Sequence, residues 1–159
     1  MAEEKKNILV ILISSILFFI STVLISYICL DKVNKKIEIK YLNDIIESNV
    51  SQEGEKTYLN IKSISQIFAK DSKNGYYFVT DGEYNYVVYL DEKKANELFK
   101  QDLESNPVKM YGITKNATDD IKKIAIEKYN VGYEEEKQIT MKDYYSYFGD
   151  LYLDLVNVK

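Results

Sequence analysis

The chain has 159 residues with 21 lysines and no arginine against 25 acidic residues, a net charge of −4, no histidine and one cysteine. The missing histidine excludes Ser-His-Asp and Cys-His catalysis and imidazole-built zinc sites, and a lone cysteine excludes an intramolecular disulfide. An acidic chain lacks the basic footprint that nucleic acid attracts, so no nucleic-acid partner is expected.

The stretch from Asn7 to Leu30 carries no charge and is rich in Ile, Leu, Val and Phe. About 20 such residues span a bilayer, and the bulky Tyr27, Ile28, Cys29 and Leu30 do not suit a signal-peptide cleavage site, so residues 1–30 read as a short cytoplasmic tail and an uncleaved transmembrane anchor in the lipid bilayer. Within it Ser15, Thr22 and Ser26 share one helical face and offer a seam for helix pairing, hence a homodimer. Lys32, Lys35, Lys36 and Lys40 after the anchor favour a cytoplasmic domain by the positive-inside rule. A long translocated segment escapes that rule more readily than a short loop, and the expectation adopted is a single-pass protein with an extracytoplasmic C-terminal domain.

Residues 31–55 read as a juxtamembrane helix, from the spacing of Ile37, Tyr41, Leu42, Ile45 and Ile46, followed by a polar linker containing Gly54. The domain proper is expected over 56–159. Leu59, Ile61, Ile64 and Ile67 imply a strand from Thr57 to Phe68 that bends or bulges, since alternation fails midway. Asn74-Gly75 is a turn signal, and Tyr76–Thr80 and Tyr84–Leu90 flank Asp81-Gly82-Glu83 as a hairpin. Asp91 caps a helix lined by Ala95, Leu98, Phe99 and Leu103, which Pro107 stops. Val108, Met110 and Gly112 share one face of the next strand. Thr118 caps a helix carrying Ile121, Ile124, Ala125 and Tyr129; Thr140 and Asp143 open a short aromatic helix that Gly149 ends, and Leu151, Leu153 and Leu155 alternate as a last strand. The fold class is therefore α+β: an N-terminal transmembrane helix followed by a small five-stranded OB-like barrel, or an open sheet, with two to three helices.

The stretches Tyr76-Tyr77-Phe78-Val79-Thr80-Asp81, Asn106-Pro107-Val108-Lys109-Met110-Tyr111-Gly112 and Tyr147-Phe148-Gly149-Asp150 resemble uncharacterised single-pass envelope proteins of low-GC Gram-positive bacteria. The likeness covers most of 37–157. It implies an anchored extracytoplasmic domain and carries over no catalytic or binding residue.

Three patterns bear on chemistry. Tyr111 and Lys115 stand four apart, as in short-chain dehydrogenases, but on a strand and without a Gly-rich phosphate loop, which marks coincidence. Asp119, Asp120 and Glu134-Glu135-Glu136 carry the oxygen chemistry of a Ca²⁺ site, yet the two aspartates suit the positive end of a helix dipole and the glutamates a solvated loop. Tyrosine is the conspicuous residue, 15 in all. Rings with polar tips suit binding surfaces as well as half-buried sheets. Along the hairpin, Tyr84 and Tyr86 fall on one face with Val88, and Tyr89 on the other with Val87.

These features point to a membrane-anchored, non-enzymatic interaction or assembly module of the cell envelope, contacting another envelope protein or a wall component through Tyr84, Tyr86 and Tyr89. No catalytic residue, cofactor or metal is expected. The alternatives are a small-ligand receptor or carboxylate/tyrosine-based enzyme, and a membrane-tethered cytoplasmic regulatory domain.

Overall fold

The computed structural model describes residues 18–26, 39–48 and 53–157, and the chain divides into two compact units, Met1–Glu38 and Ile39–Lys159. In the first, residues 18–26 are helical and exposed. The rest of the expected Asn7–Leu30 anchor, Ser15 included, lies outside the described residues. Among the described residues no helix is long and apolar enough to cross a membrane.

The second unit is α+β. Its strands are β1 (Lys40–Tyr41), β2 (Lys56–Ile61), β3 (Ser63–Asp71), β4 (Asn74–Thr80), β5 (Asn85–Asp91), β6 (Val108–Asn116) and β7 (Leu151–Asp154). The helices are α1 (Leu42–Glu47), α2 (Glu92–Leu98), α3 (Asp119–Tyr129) and α4 (Tyr144–Phe148), with a 3-10 helix at Glu135–Lys137. The strands form one open mixed sheet in the order β1-β2-β6-β7-β5-β4-β3, parallel at β1/β2 and β5/β7 and antiparallel elsewhere.

Seven strands replace the five expected for two reasons. The bent strand is divided at Lys62 into β2 and β3, and Lys40 and Tyr41, within the expected juxtamembrane helix, are extended as β1. Two register shifts follow in β3, between Ile64 and Ile67 and between Ile67 and Ala69, where the hydroxyl of Ser65 accepts the amide of Phe78 at 3.0 Å in place of a ladder bond. Asn74-Gly75 does not turn: Asp71 pairs with Asn74, so Ser72 and Lys73 make the turn, Ser72 at φ +54°. Gly75 is instead a strand residue over which the Ile67 side chain lies, where any Cβ would collide with it.

Both faces of the sheet are packed. Leu59, Ile61, Tyr77, Val79, Tyr86, Val88, Leu90, Met110 and Leu153 form one core with Leu42, Ala95, Leu98 and Leu103. Phe68, Val87 and Tyr152 form a second with Ala125 of α3, Tyr144 and Phe148 of α4, and Ile139. The expected sharing of a face by Val108, Met110 and Gly112 holds. Gly112 is required there, since a Cβ would stand 2.6 Å from Leu153 Cδ1 and 2.7 Å from the Asp154 carbonyl oxygen.

Asp91 caps α2 by accepting the Lys94 amide at 3.0 Å, and Thr118 caps α3 through the Ile121 amide. α2 ends at Leu98, a turn earlier than expected. Leu103 is still buried, but Phe99, as the capping residue, turns outward and is 44 % exposed. At α4 the expected cap is reversed: Asp143 accepts from the Thr140 amide and hydroxyl, and Gly149 at φ +70° closes the helix on the Tyr145 carbonyl.

The segment after residue 38 belongs to the folded unit. Leu42 and Ile45 of α1 are buried, and Thr57 donates its hydroxyl to the Lys40 carbonyl at 2.7 Å, holding β1 on β2. Leu42→Ala should therefore destabilise the domain by about 2–5 kcal/mol in urea unfolding, as removal of a core leucine does; no change would mean that α1 is an independent linker.

Candidate functional site

The β4–β5 turn is organised by one carboxylate. Asp81 accepts the amides of Glu83 at 2.9 Å and Tyr84 at 2.8 Å on one oxygen, an Asx turn in which Gly82 takes φ +95°. Its other oxygen accepts the hydroxyls of Tyr86, at 3.0 Å, and Tyr41. Burial pushes the Asp81 carboxyl up, but the donors from Tyr41, Tyr84, Glu83 and Tyr86 outweigh it and hold the group below the usual carboxylate range. Burial, reinforced by the Asp81 charge, pushes the Tyr41 and Tyr86 hydroxyls up. Carboxylate and phenols thus move away from neutrality in opposite directions, which suits a clasp between β1 and the hairpin and does not poise an acid or base for catalysis.

A second carboxylate, Asp154, is completely buried at the end of β7. It pairs with Lys115 Nζ at 2.8 Å and accepts the Asn157 side-chain amide at 2.8 Å and the backbone amides of Val156 and Asn157. Burial raises its pKa and these donors lower it further than burial raises it; the bond to Asp154 in turn holds Lys115 above the ordinary lysine value. Lys115 is therefore a structural partner of Asp154. Asp119 and Asp120 occupy the first turn of α3, Glu134 pairs with Lys137 at 3.1 Å, and no group of three or more acidic or cysteine side chains converges among the described residues.

Of the three tyrosines expected to form one binding surface, Tyr84 and Tyr86 stay adjacent, with ring centroids 6.5 Å apart and both lining one groove, while Tyr89 lies on the opposite face. Tyr86 is 1 % exposed and points into the first core. Tyr89 packs on the opposite core, its hydroxyl donating to Asp71 and accepting from Asn74. Tyr84 alone remains outside, 40 % exposed.

Tyr84 also shares that groove with two residues that sequence reasoning did not single out. α4 buries Tyr144 and Phe148 and turns Tyr145 and Tyr147 outward, 45 % and 42 % exposed. Tyr84, Tyr145 and Tyr147, together with Asn43, Glu47, Asn85 and Ser146, line a groove of about 170 Å³ between α1, the hairpin and α4. Asn43 donates to Glu47 at 2.6 Å along its wall. The helical period of α4 carried the signal, since Tyr144 and Phe148 lie four apart and leave Tyr145 and Tyr147 on the other side. In the N-terminal helix Thr22 and Ser26 donate their hydroxyls to their own helix, at the Phe19 and Thr22 carbonyls, both at 2.8 Å.

The chain matches no family model, and neither a curated protein nor a solved structure matches it.

Both depressed aspartates contribute stability that is present above about pH 4 and is lost as pH falls through their folded values. Asp154→Asn should lower the urea midpoint at neutral pH and flatten its decline in acid; parallel pH profiles for variant and wild type would contradict this. Tyr144 presents the converse case, a buried hydroxyl with no hydrogen-bond partner among the described residues. Tyr144→Phe removes an unsatisfied donor without opening a cavity, so its thermal midpoint should equal or exceed that of the wild type, and a loss of more than about 1 kcal/mol would reveal a partner.

Proposed function

We propose that this protein is a membrane-anchored, non-enzymatic interaction module of the cell envelope, its domain held outside the membrane by the Asn7–Leu30 anchor and binding another envelope protein or a wall component through the groove of Tyr84, Tyr145 and Tyr147. The observation that carries this reading is that groove. Three exposed rings from two segments some 60 residues apart converge on one concavity whose remaining lining includes an amide pair, a carboxylate and a hydroxyl. Rings that bury area at small entropic cost beside adaptable polar groups are the usual composition of a recognition surface.

The domain is also read as an OB-like barrel. β2 and β3 count together as its first strand, followed by β4, β5, β6 and β7, with α2 between the third and fourth strands. In support, this first strand flanks both the second and fourth strands, and the third and fifth are parallel. The outer face of β4 and β5, which such barrels offer to oligonucleotides and oligosaccharides, is here covered by α3 and α4 from the β6–β7 connection, with Phe78 stacked between Phe68 and Phe148 at 4.4 and 5.1 Å. That cover moves the binding surface to the groove. The enzyme reading would centre on Asp81 and Tyr41, which share a cleft, but their opposed pKa shifts argue against it.

The double variant Tyr84→Ala/Tyr147→Ala should keep the wild-type thermal midpoint while losing defined partners in quantitative crosslinking on intact cells. An unchanged crosslinking map would overturn the assignment of the groove.

A further inference from the structure

The outer face of β2 and β6 differs from the rest of that side of the sheet. Thr57, Leu59 and Ile61 of β2 and Met110, Gly112 and Thr114 of β6 are buried, which leaves Tyr58, Asn60, Lys109 and Tyr111 on the other face. Strand register sets Tyr58 opposite Tyr111 and Asn60 opposite Lys109, and places Tyr41 of β1 beside Tyr58. The three tyrosine rings form a row across three strands, with centroids 5.3 Å apart from Tyr41 to Tyr58 and 6.0 Å apart from Tyr58 to Tyr111. α3 and α4 pack against aromatic residues of β3, β4, β5 and β7 on this side, and Tyr111 is 48 % exposed.

Lys109 defines the chemistry. Its ammonium lies 3.7 Å from the centroid of the Tyr58 ring and 5.4 Å from that of Tyr111. In a chain with more acids than lysines, no carboxylate pairs with it among the described residues. The Tyr58 ring fixes the cation in place by a cation–π contact while leaving its charge available. Beside it stand an exposed ring for stacking and the Asn60 side chain to donate to and accept from hydroxyls.

We propose that this face is a second binding surface, for a saccharide chain bearing anionic substituents. A sugar ring stacks on Tyr111, its carboxylate or phosphate lies on Lys109, and the chain runs along the tyrosine row. The site goes beyond the groove reading and shares no residue with it. Single-stranded nucleic acid also stacks on aromatic rows, but it requires a groove of positive charge that follows the backbone, and Lys109 supplies one cation to the row.

The test uses the full chain in detergent micelles and affinity electrophoresis with four probes: hyaluronate oligosaccharides, phosphorylated dextran, unmodified dextran and a thymidine oligonucleotide. At least one of the two anionic saccharides should retard the protein, and more strongly than unmodified dextran does. Lys109→Ala and Tyr111→Ala should each weaken that retardation about tenfold or more, as expected for loss of a hydrogen-bonded charge or a stacking ring. Lys109→Arg should restore it, and Tyr84→Ala, in the separate groove, should leave it intact. Thermal midpoints of all variants should match the wild type, because both side chains lie on the surface. Retardation by neither anionic saccharide would overturn the proposal. So would equal retardation by unmodified dextran, insensitivity to both Lys109→Ala and Tyr111→Ala, or tighter binding of the oligonucleotide.

Discussion

A single residue governs the shape of this domain. β2 and β3 are separated in the sheet by β6, β7, β5 and β4, yet Lys62 alone joins them in the chain. Strands five places apart can be consecutive only if the sheet bends strongly enough to bring the end of β2 to the start of β3. The Lys62 amide donates to the Thr80 carbonyl at 2.8 Å, which extends the β3–β4 ladder by one residue to the bend. Curling creates an inside, and the inside must be filled: β5 supplies Tyr86, Val88 and Leu90, while Leu42 from α1 and Leu98 from α2 complete the packing. Burial of these side chains, at about 25 cal/mol per Å² of apolar surface, is what makes the bend favourable.

The same geometry leaves an edge to be managed. β1 adds two parallel residues beside β2, and Tyr41 reaches from them to Asp81 in the β4–β5 turn. The clasp rests on one carboxylate that accepts four donors, from Tyr41, Glu83, Tyr84 and Tyr86. On the outer side, the long β6–β7 connection returns α3 and α4 over β3, β4, β5 and β7. Asn130 shapes that connection by pairing its amide with both backbone groups of Ile139, at 2.8 and 2.9 Å. Tyrosine thus divides by position. Tyr76, Tyr77, Tyr86 and Tyr152 pack in the cores, Tyr41 fastens β1 to the hairpin, and Tyr84, Tyr111, Tyr145 and Tyr147 are exposed.

Local chemistry made much of the fold legible in advance. The failed alternation after Ile61, the Asp81-Gly82-Glu83 turn, the Asp91 and Thr118 caps and the alternation of Tyr86 and Val88 against Val87 and Tyr89 each follow from forces between near neighbours. Non-local forces decided the rest. Ile67 packs over Gly75 and draws Asn74-Gly75 into a strand; Thr57 extends Lys40 and Tyr41 against a helical period. Alternation placed Tyr86 and Tyr89 on opposite faces but could not show that both faces would be covered, because the cover on one comes from residues 117–150. For the same reason tyrosine content alone does not single out Tyr145 and Tyr147, although the spacing of Tyr144 and Phe148 distinguishes the buried side of α4. The Tyr41–Tyr58–Tyr111 row had no linear signature, since cross-strand register alone brings it together.

The central claim is that the bend at Lys62 makes residues 39–157 one cooperative unit. Native-state amide hydrogen exchange on the full chain tests it most directly. The Lys62 amide and the amides of α1 should exchange only through the global opening that also exposes the Val87 and Val88 amides of β5, with the same dependence on denaturant. Exchange of Lys62 and α1 through a separate, lower-energy opening while β5 stays protected would contradict it, and would make the curl a loose juxtaposition of two half-sheets.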